Sequence, residues 1–391
     1  MRWGEPAFSE MLLGGYLGLM SLLWGGLAAG VGAWQRKFAL PELPCAEFPR
    51  LSICLPARNE AHQIRRCLEA ALGAEYPHLE LILVDDHSTD GTAQIAASLQ
   101  DPRLKILTGQ DLPSGWAGKS WACQQAAEAA GGELLLFIDA DVELGPQSLR
   151  QAVAVMQARK LAMLSLFGTW KLESFWERVA IPVIGWFVRG ATDLDAVNSP
   201  GRKEAFANGQ FILVRRDAYV QTGGHGAVRA SVLDDVRLAQ SFKQQGLALG
   251  LYHAPRAFQV RLYRSLSEIV QGYTKNFYEG MNRNPLMALG AILFLFVGSG
   301  LPYLLMAAAL FWPRGLFVGL ETSWPWTTWI LGICLLPLAF RWRLERADGR
   351  DGSYAWSHPV GNLVLGWVLL RSMFVVRTEW KGRSFHDGKA G

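Results

Sequence analysis

Hydrophobic positions along this chain fall into three regimes. From Met11 to Trp34 no charge interrupts an apolar run long enough for a helix that spans a bilayer. From Leu51 onward short apolar runs alternate with stretches of helical spacing. The runs predict strands at Leu51 to Leu55, Leu79 to Val84, Leu104 to Leu107, Glu133 to Ile138, Leu161 to Phe167, Asn208 to Val214 and Leu247 to Tyr252. Helices are expected over Glu60 to Leu72, Asp90 to Leu99, Trp116 to Ala130, after Pro146, and over Ser231 to Gln245, closed by Gly246. Strands alternating with helices of this length mean βαβ units, an α/β fold with a mostly parallel sheet flanked by helices. Past this zone the apolar character returns. Leu266, Ile269, Val270, Tyr273, Phe277 and Met281 share one helical face, and Met287 to Phe311, Trp324 to Phe340 and Val360 to Val376 are apolar runs.

The pattern divides the chain into a transmembrane anchor (1–35), a linker stiffened by Pro41 and Pro44 (36–50), an α/β domain (51–264), an amphipathic interfacial helix (265–285) and a C-terminal membrane region (286–391) of two to three hydrophobic segments and a basic tail. Charges set the orientation. Glu5 and Glu10 precede the first span and Arg36 and Lys37 follow it, the reverse of a cleavable signal peptide. Arg341, Arg343 and Arg346 follow Phe340, and the loop before Trp324 holds only Arg314. The positive-inside rule then predicts a multi-pass protein of the cell membrane with its α/β domain in the cytoplasm. Val360 to Val376 contains Arg371 and reads equally as a re-entrant helix or a further span. Ser174 to Gly190, rich in Trp and Phe and interrupted by Pro182, is expected as an interfacial helix, with a buried core helix as the alternative.

Composition adds exclusions. Half the residues are hydrophobic, Trp numbers 16, and the net charge of +4 announces no nucleic-acid surface. Five scattered cysteines form neither a zinc pattern nor a disulfide framework.

Candidate chemistry lies at the carboxyl ends of the expected strands, where open α/β sheets bind ligands. Four clusters fall there or beside them: Pro56-Ala57-Arg58-Asn59-Glu60, Val84 to Thr92 with Asp85 and Asp86, Asp139-Ala140-Asp141, and Leu233-Asp234-Asp235-Val236. So many carboxylates in one crevice would repel each other without a cation, which a metal–diphosphate ligand supplies. Lys119 offers a second positive charge for phosphate. A P-loop is excluded because Pro113 stands where that loop needs glycine, and no Gly-x-Gly-x-x-Gly, Gly-x-Ser-x-Gly or His-Glu-x-x-His is present. Ser231 and Asp234 are spaced as a capping box, which leaves Asp235 free for chemistry. His87 and His225 read first as structural histidines, and His253 as a weaker candidate metal ligand.

These motifs, in this order, resemble family 2 glycosyltransferases over roughly residues 51 to 264. Asn208-Gly209-Gln210, Gly223-Gly224-His225, the Trp380-Lys381-Gly382-Arg383 tail and the membrane segments are most similar to carotenoid- and hopanoid-associated members. The resemblance implies a GT-A nucleotide-diphospho-sugar transferase fold for 51–264 as catalytic domain. It implies that Pro56, Asn59 and Glu60 shape the nucleoside site, that Asp85 or Asp86 accepts from the base, and that Lys119 and Asp234 lie near the nucleotide-sugar. Asp139 would face ribose or metal, Asp141 would hold a divalent metal (Mg2+ or Mn2+), and Asp235 would be the catalytic base. The implied reaction is inverting transfer of one sugar from a UDP-sugar to a membrane lipid hydroxyl, a carotenoid or hopanoid-type isoprenoid. Polyprenyl phosphate or diacylglycerol is the alternative acceptor, and a non-catalytic nucleotide-sugar-binding membrane protein is the rival class. The Gln-x-x-Arg-Trp of processive synthases is absent.

Overall fold

The computed structural model describes residues 8–45, 47–281, 283–311, 324–374, 377–380, 383–386 and 389–390. Arg314 and the Lys381-Gly382 pair of the tail lie outside the described residues. The chain forms two compact units. One comprises Phe38–Leu172, Val188–Arg264 and Val375–Gly391, the other Met1–Lys37, Glu173–Phe187 and Ser265–Phe374.

The first unit is built on ten strands besides its tail. In chain order they are β1 (Leu51–Ala57), β2 (Leu79–Asp85), β3 (Leu104–Thr108), β4 (Leu134–Phe137), β5 (Val142–Leu144), β6 (Met163–Phe167), β7 (Thr169–Trp170), β8 (Ile212–Arg215), β9 (Leu249–His253) and β10 (Phe258–Val260). Seven of these form one sheet in the order β3-β2-β1-β4-β8-β6-β9. The β1–β2, β2–β3, β1–β4 and β6–β9 pairs are parallel, and only β8 runs against its neighbours β4 and β6. The mixed α/β architecture with a mostly parallel sheet is therefore as expected. Its strands are continuous apolar runs because both faces are covered, and Leu51, Ile53, Leu81, Leu83, Leu135 and Leu164 are fully buried.

A second, three-stranded sheet, β5-β10-β7, has no counterpart among the expected strands, its members being only two or three residues long. It braces the site. β5 starts directly after Asp141 and pairs antiparallel with β10, and Gly145 donates its N–H to Ala257 O at 2.8 Å. Phe211 and Phe258, both fully buried, stack at 5.9 Å with their planes 9° apart. Phe211→Ala is expected to lower stability by about 3–5 kcal/mol, the usual cost of such a cavity, read as a drop in the thermal midpoint.

Several helix boundaries differ from expectation. The helix expected from Glu60 begins at Ile64, because Asn59 takes a left-handed φ of 54° and the chain turns before it can coil. The helix expected from Ser231 begins at Asp234 with Leu233 at its cap position, and Ser231 Oγ accepts from Leu233 N–H at 3.1 Å. The capping box does not form, since the Ser231 hydroxyl is taken by Leu233 N–H, one residue before Asp234.

The second unit is helical, with helices at Phe8–Phe38, Leu266–Gly280, Pro285–Leu295, Leu301–Phe311, Trp324–Ala347 and His358–Phe374. A π-helical turn, Phe296–Gly300, joins Pro285–Leu295 to Leu301–Phe311. Tyr16 Oη donates to Val297 O at 2.7 Å and Trp24 Nε1 to Gly298 O at 2.7 Å. Among the described residues two helices are long and apolar enough to cross a membrane, Glu10–Phe38 and Pro285–Phe311. The span expected at 324–340 is not one of them. Its first turns carry Trp, Pro and Thr, and the helix continues to Ala347 through Arg341, Arg343 and Arg346. Arg341 is not a free positive flank. It is 2 % exposed, pairs with Glu345 at 2.8 Å and donates to Val179 O at 3.2 Å and to Arg178 O.

Phe175–Ala191, expected to lie on a membrane surface, is a core helix. Glu177, Val179, Ala180 and Ile184 are fully buried, and Glu177 accepts from the N–H groups of Glu173, at 2.8 Å, and Ser174. An apolar helical face looks alike to lipid and to protein, so the alternative reading of this stretch prevails.

Candidate active site

All ten sequence-predicted site residues fall in the sheet-based unit. At the ends of β1 and β2, two loops lock together. Asn59 donates its N–H to Ser88 Oγ at 2.9 Å and accepts from Thr89 N–H at 2.9 Å. Glu60 N–H donates to Thr92 Oγ1 at 2.8 Å, and Ala61 N–H to Asp90 Oδ2 at 2.9 Å. Burial raises the Asp90 carboxyl, but the Thr92 hydroxyl and the backbone N–H groups of Ala61 and Thr92 outweigh it and hold it below its usual value. Ser88, Asp90 and Thr92 are therefore the clasp of the loop, a task that reading the sequence did not assign.

Pro56 lies within β1 opposite Val84, and Glu60 is held by Gln63 Nε2 at 2.8 Å. The two acids after β2 differ. Asp86 faces Arg58 at 3.8 Å, and Arg58 also donates to Asp86 O at 2.6 Å. Asp85 accepts from Ser88 N–H at 3.3 Å through Oδ2, while its buried Oδ1 has no hydrogen-bond partner. A buried carboxylate oxygen left without a donor is costly, so Asp85 is the member of the pair poised to receive one. Close backbone passage keeps this corner tight, since a Cβ on Gly109 would sit 3.2 Å from Asp85 O.

The Asp139-Ala140-Asp141 turn follows β4. Asp139 Oδ1 meets Lys119 Nζ at 2.6 Å, from the first turn of the helix Gly118–Ala129. Burial alone would lower the Lys119 ammonium, but Asp139 first, with Asp234 and Asp235, raises it well above its ordinary value. Beneath the turn Cys67 Sγ lies 3.7 Å from Asp139 O, and its thiol is driven well up by burial, then by the charges of Asp141, Glu60 and Asp139. Among the described residues no three His, Cys, Asp or Glu side chains are set to cage a metal ion. Two carboxylates on one turn fit a small hard cation that completes its shell with phosphate and water.

Across from this turn stands Asp235, in the first turn of the helix Asp234–Gln244. Its Oδ2 accepts from Gly209 N–H at 3.0 Å and its Oδ1 from Val236 N–H at 2.8 Å. A Cβ on Gly209 would lie 3.0 Å from Asp235 Oδ2 and 3.3 Å from Lys119 Nζ, so the glycine leaves room for both groups. Burial and then the neighbouring Asp234 push the Asp235 carboxyl up to about 6, against the pull of Lys119 and the two backbone N–H groups. A carboxylate near that value is mostly ionised at neutral pH yet basic enough to accept a proton in passing. Asp234 is buried, with His225 Nε2 3.9 Å from its Oδ2. His225 itself is pulled down to about 4, chiefly by burial, and is neutral at physiological pH. His87 is exposed on its turn with φ 54°, and His253 is buried in β9.

Residues 52–223 match the family described as glycosyl transferase family 2, so this segment is a glycosyltransferase domain of that family. Among curated proteins the chain is 24% identical over 264 residues to the 4,4'-diaponeurosporenoate glycosyltransferase of Staphylococcus haemolyticus (strain JCSC1435), covering 67% of this chain and 70% of that one. It is 26% identical over 257 residues to the protein of the same name from Staphylococcus aureus (strain USA300), covering 64% of this chain and 66% of that one. Among solved structures it is similar to mannosyltransferase PcManGT from Pyrobaculum calidifontis in complex with GDP-Man and Mn2+, at 18% identity and TM-score 0.48, over 84% of this chain and 97% of that chain.

Proposed function

We propose that the protein transfers a single sugar, with inversion, from a UDP-sugar to a hydroxyl of a membrane isoprenoid of the carotenoid or hopanoid kind. The observation that carries this reading is Asp235: a carboxylate pinned by two backbone N–H groups, raised toward neutrality, within the same cluster as Lys119 and Asp139. An alcohol needs such a group, because its proton must leave as its oxygen attacks the anomeric carbon. One displacement inverts that carbon, and no enzyme nucleophile is required. The new bond is acceptor oxygen to C1, the broken one C1 to phosphate oxygen, and the proton passes to Asp235. Asp139 and Asp141 would hold a divalent cation, Mg2+ or Mn2+, which when bound supplies Lewis-acid stabilisation of the departing diphosphate. Lys119 adds positive charge on the same side. Asp85, through its partnerless Oδ1, accepts from the uracil ring, and Pro56, Asn59 and Glu60 with their clasp hold the loop that shapes the nucleoside end. The apolar Glu10–Phe38 and Pro285–Phe311 helices fit a membrane enzyme with a lipid acceptor, its catalytic unit on the cytoplasmic side.

The relatives' names favour a second acceptor class. Diaponeurosporenoate is a carboxylate, already ionised at neutral pH, and would attack without a base. The test is transfer from radiolabelled UDP-sugars to alcohol and carboxylate forms of one isoprenoid, with the product anomer assigned by NMR. The alcohol product in the inverted configuration is expected, and a retained anomer would sink the reading. Asp85→Ala is expected to raise KM for the UDP-sugar by about 10–100-fold, the worth of one charged hydrogen bond, with kcat little changed.

A further inference from the structure

The buried group nearest Asp234 belongs to no step described above. The stretch Gly223-Gly224-His225 folds back on Tyr219, with φ of 79° at Gly223 and 52° at Gly224. The glycine at 224 is obligatory for this approach, because a Cβ there would lie 2.4 Å from Tyr219 Cζ. Tyr219 Oη accepts the His225 backbone N–H at 3.0 Å and stands 2.8 Å from His225 Nδ1. Nδ1 is the nearer of the two acceptors open to its proton, Gln124 Oε1 lying at 3.3 Å. With Nδ1 accepting, the imidazole hydrogen sits on Nε2, which lies 3.9 Å from Asp234 Oδ2, in contact but beyond hydrogen-bond reach. Phe137, the last residue of β4, packs edge-on against His225 at 4.6 Å and lies 5.4 Å from Tyr219. The ring is thus held by the strand that carries the Asp139–Asp141 turn, and both His225 and Tyr219 are buried.

We propose that Tyr219 and His225 form a buried positioning relay, in which the Tyr219 hydroxyl fixes the imidazole so that the ring packs against Asp234 with its Nε2–H dipole toward that carboxylate and, through the shared first turn of the helix, aims Asp235 at the acceptor. This rests on the reading of Asp235 as the base. Neither residue touches a substrate, so both act on the rate of the chemical step and not on donor binding. Asp234 and Asp235 are consecutive, and a shift of that turn would spoil the attack geometry, where an error of about 1 Å costs up to about a hundredfold in rate.

The full-length protein in detergent, with UDP-sugar and the isoprenoid alcohol, provides the test. His225→Phe keeps an aromatic ring against Phe137 and removes both nitrogens. It is expected to lower kcat about tenfold while KM for the donor stays within about twofold. His225→Gln places an amide N–H near the position of Nε2 and is expected to restore at least a third of wild-type kcat. Tyr219→Phe leaves the imidazole but frees its orientation, and is expected to lower kcat about threefold or more even if His225→Phe does not fold. A kcat loss that glutamine does not rescue, or one matched by an equal rise in KM, would mean packing alone and overturn the relay, as would wild-type turnover in Tyr219→Phe. Asp235→Asn in the same assay separates the two ideas. If it turns over at the wild-type rate the base reading fails, whereas an inactive Asp235→Asn beside a fully active His225→Phe defeats only the relay.

Discussion

Asp235→Asn is expected to lower kcat with an alcohol acceptor by about 10²–10⁴-fold, the usual contribution of a positioned general base, while raising thermal stability. Asparagine can still accept the Gly209 N–H through its amide oxygen and gives up only the Val236 N–H, which lies within its own helix turn, but it cannot take a proton. The stability gain follows from the raised Asp235 carboxyl. A group whose folded value lies above its unfolded one contributes stability at low pH and loses it as pH rises through the folded value, here about 6. Above that pH the wild type holds a charge in a place that disfavours it, and asparagine relieves the repulsion from Asp234. In the wild type kcat/KM should climb as pH passes through about 6 and then level. With a carboxylate acceptor both the loss and the climb should vanish, which makes a pH series on paired acceptors the sharpest discriminator of acceptor class. A variant that loses activity and stability together would mean that Asp235 is structural.

The second large effect concerns charge on the donor side. Treatment with a chelator is expected to abolish transfer, and added Mn2+ or Mg2+ to restore it in the wild type but not in Asp141→Ala. Asp141, Glu60 and Asp139 all raise the Cys67 thiol by their charge, and a diphosphate brought to this side adds further negative charge. Lys119 is one cation and is already held by Asp139 at 2.6 Å. Without a divalent ion the balance fails, and developing charge on the leaving diphosphate goes unmet. UDP titration by calorimetry, with and without Mn2+, gives a readout independent of turnover. Metal-independent UDP binding together with chelator-resistant transfer would show that Lys119 suffices.

How much of this was legible in the residues depends on what each feature needs. The main sheet was, because strands covered on both faces must be continuous apolar runs, as at Leu79–Asp85 and Met163–Phe167. The short strands around Asp141 were not, since two or three residues carry no periodicity. Phe175–Ala191 was misplaced because the groups that pack on Val179 and Val183, Arg341 and Gly361, lie far along the chain, beyond any local window. At the candidate site the carboxylates announced themselves as side chains in motifs. The Gly209 N–H that grips Asp235 could not, because every residue but proline has that group. The Tyr219–His225 contact left one trace, the glycine pair that lets the chain fold back so closely, and Asn59 none beyond a residue type tolerant of its left-handed φ.

The π-helical turn at Phe296–Gly300 bears on how the N-terminal helix can be handled. Two carbonyls there, Val297 and Gly298, take their donors from Tyr16 and Trp24, and Trp24 also packs against Phe340 and His358. Phe8–Phe38 is thus a keyed component and not an interchangeable tether. Exchanging it for an unrelated apolar helix of equal length would strip these two carbonyls, one buried and one half-buried, of their donors. Any truncated or fused version intended for purification should therefore retain Tyr16 and Trp24 in register.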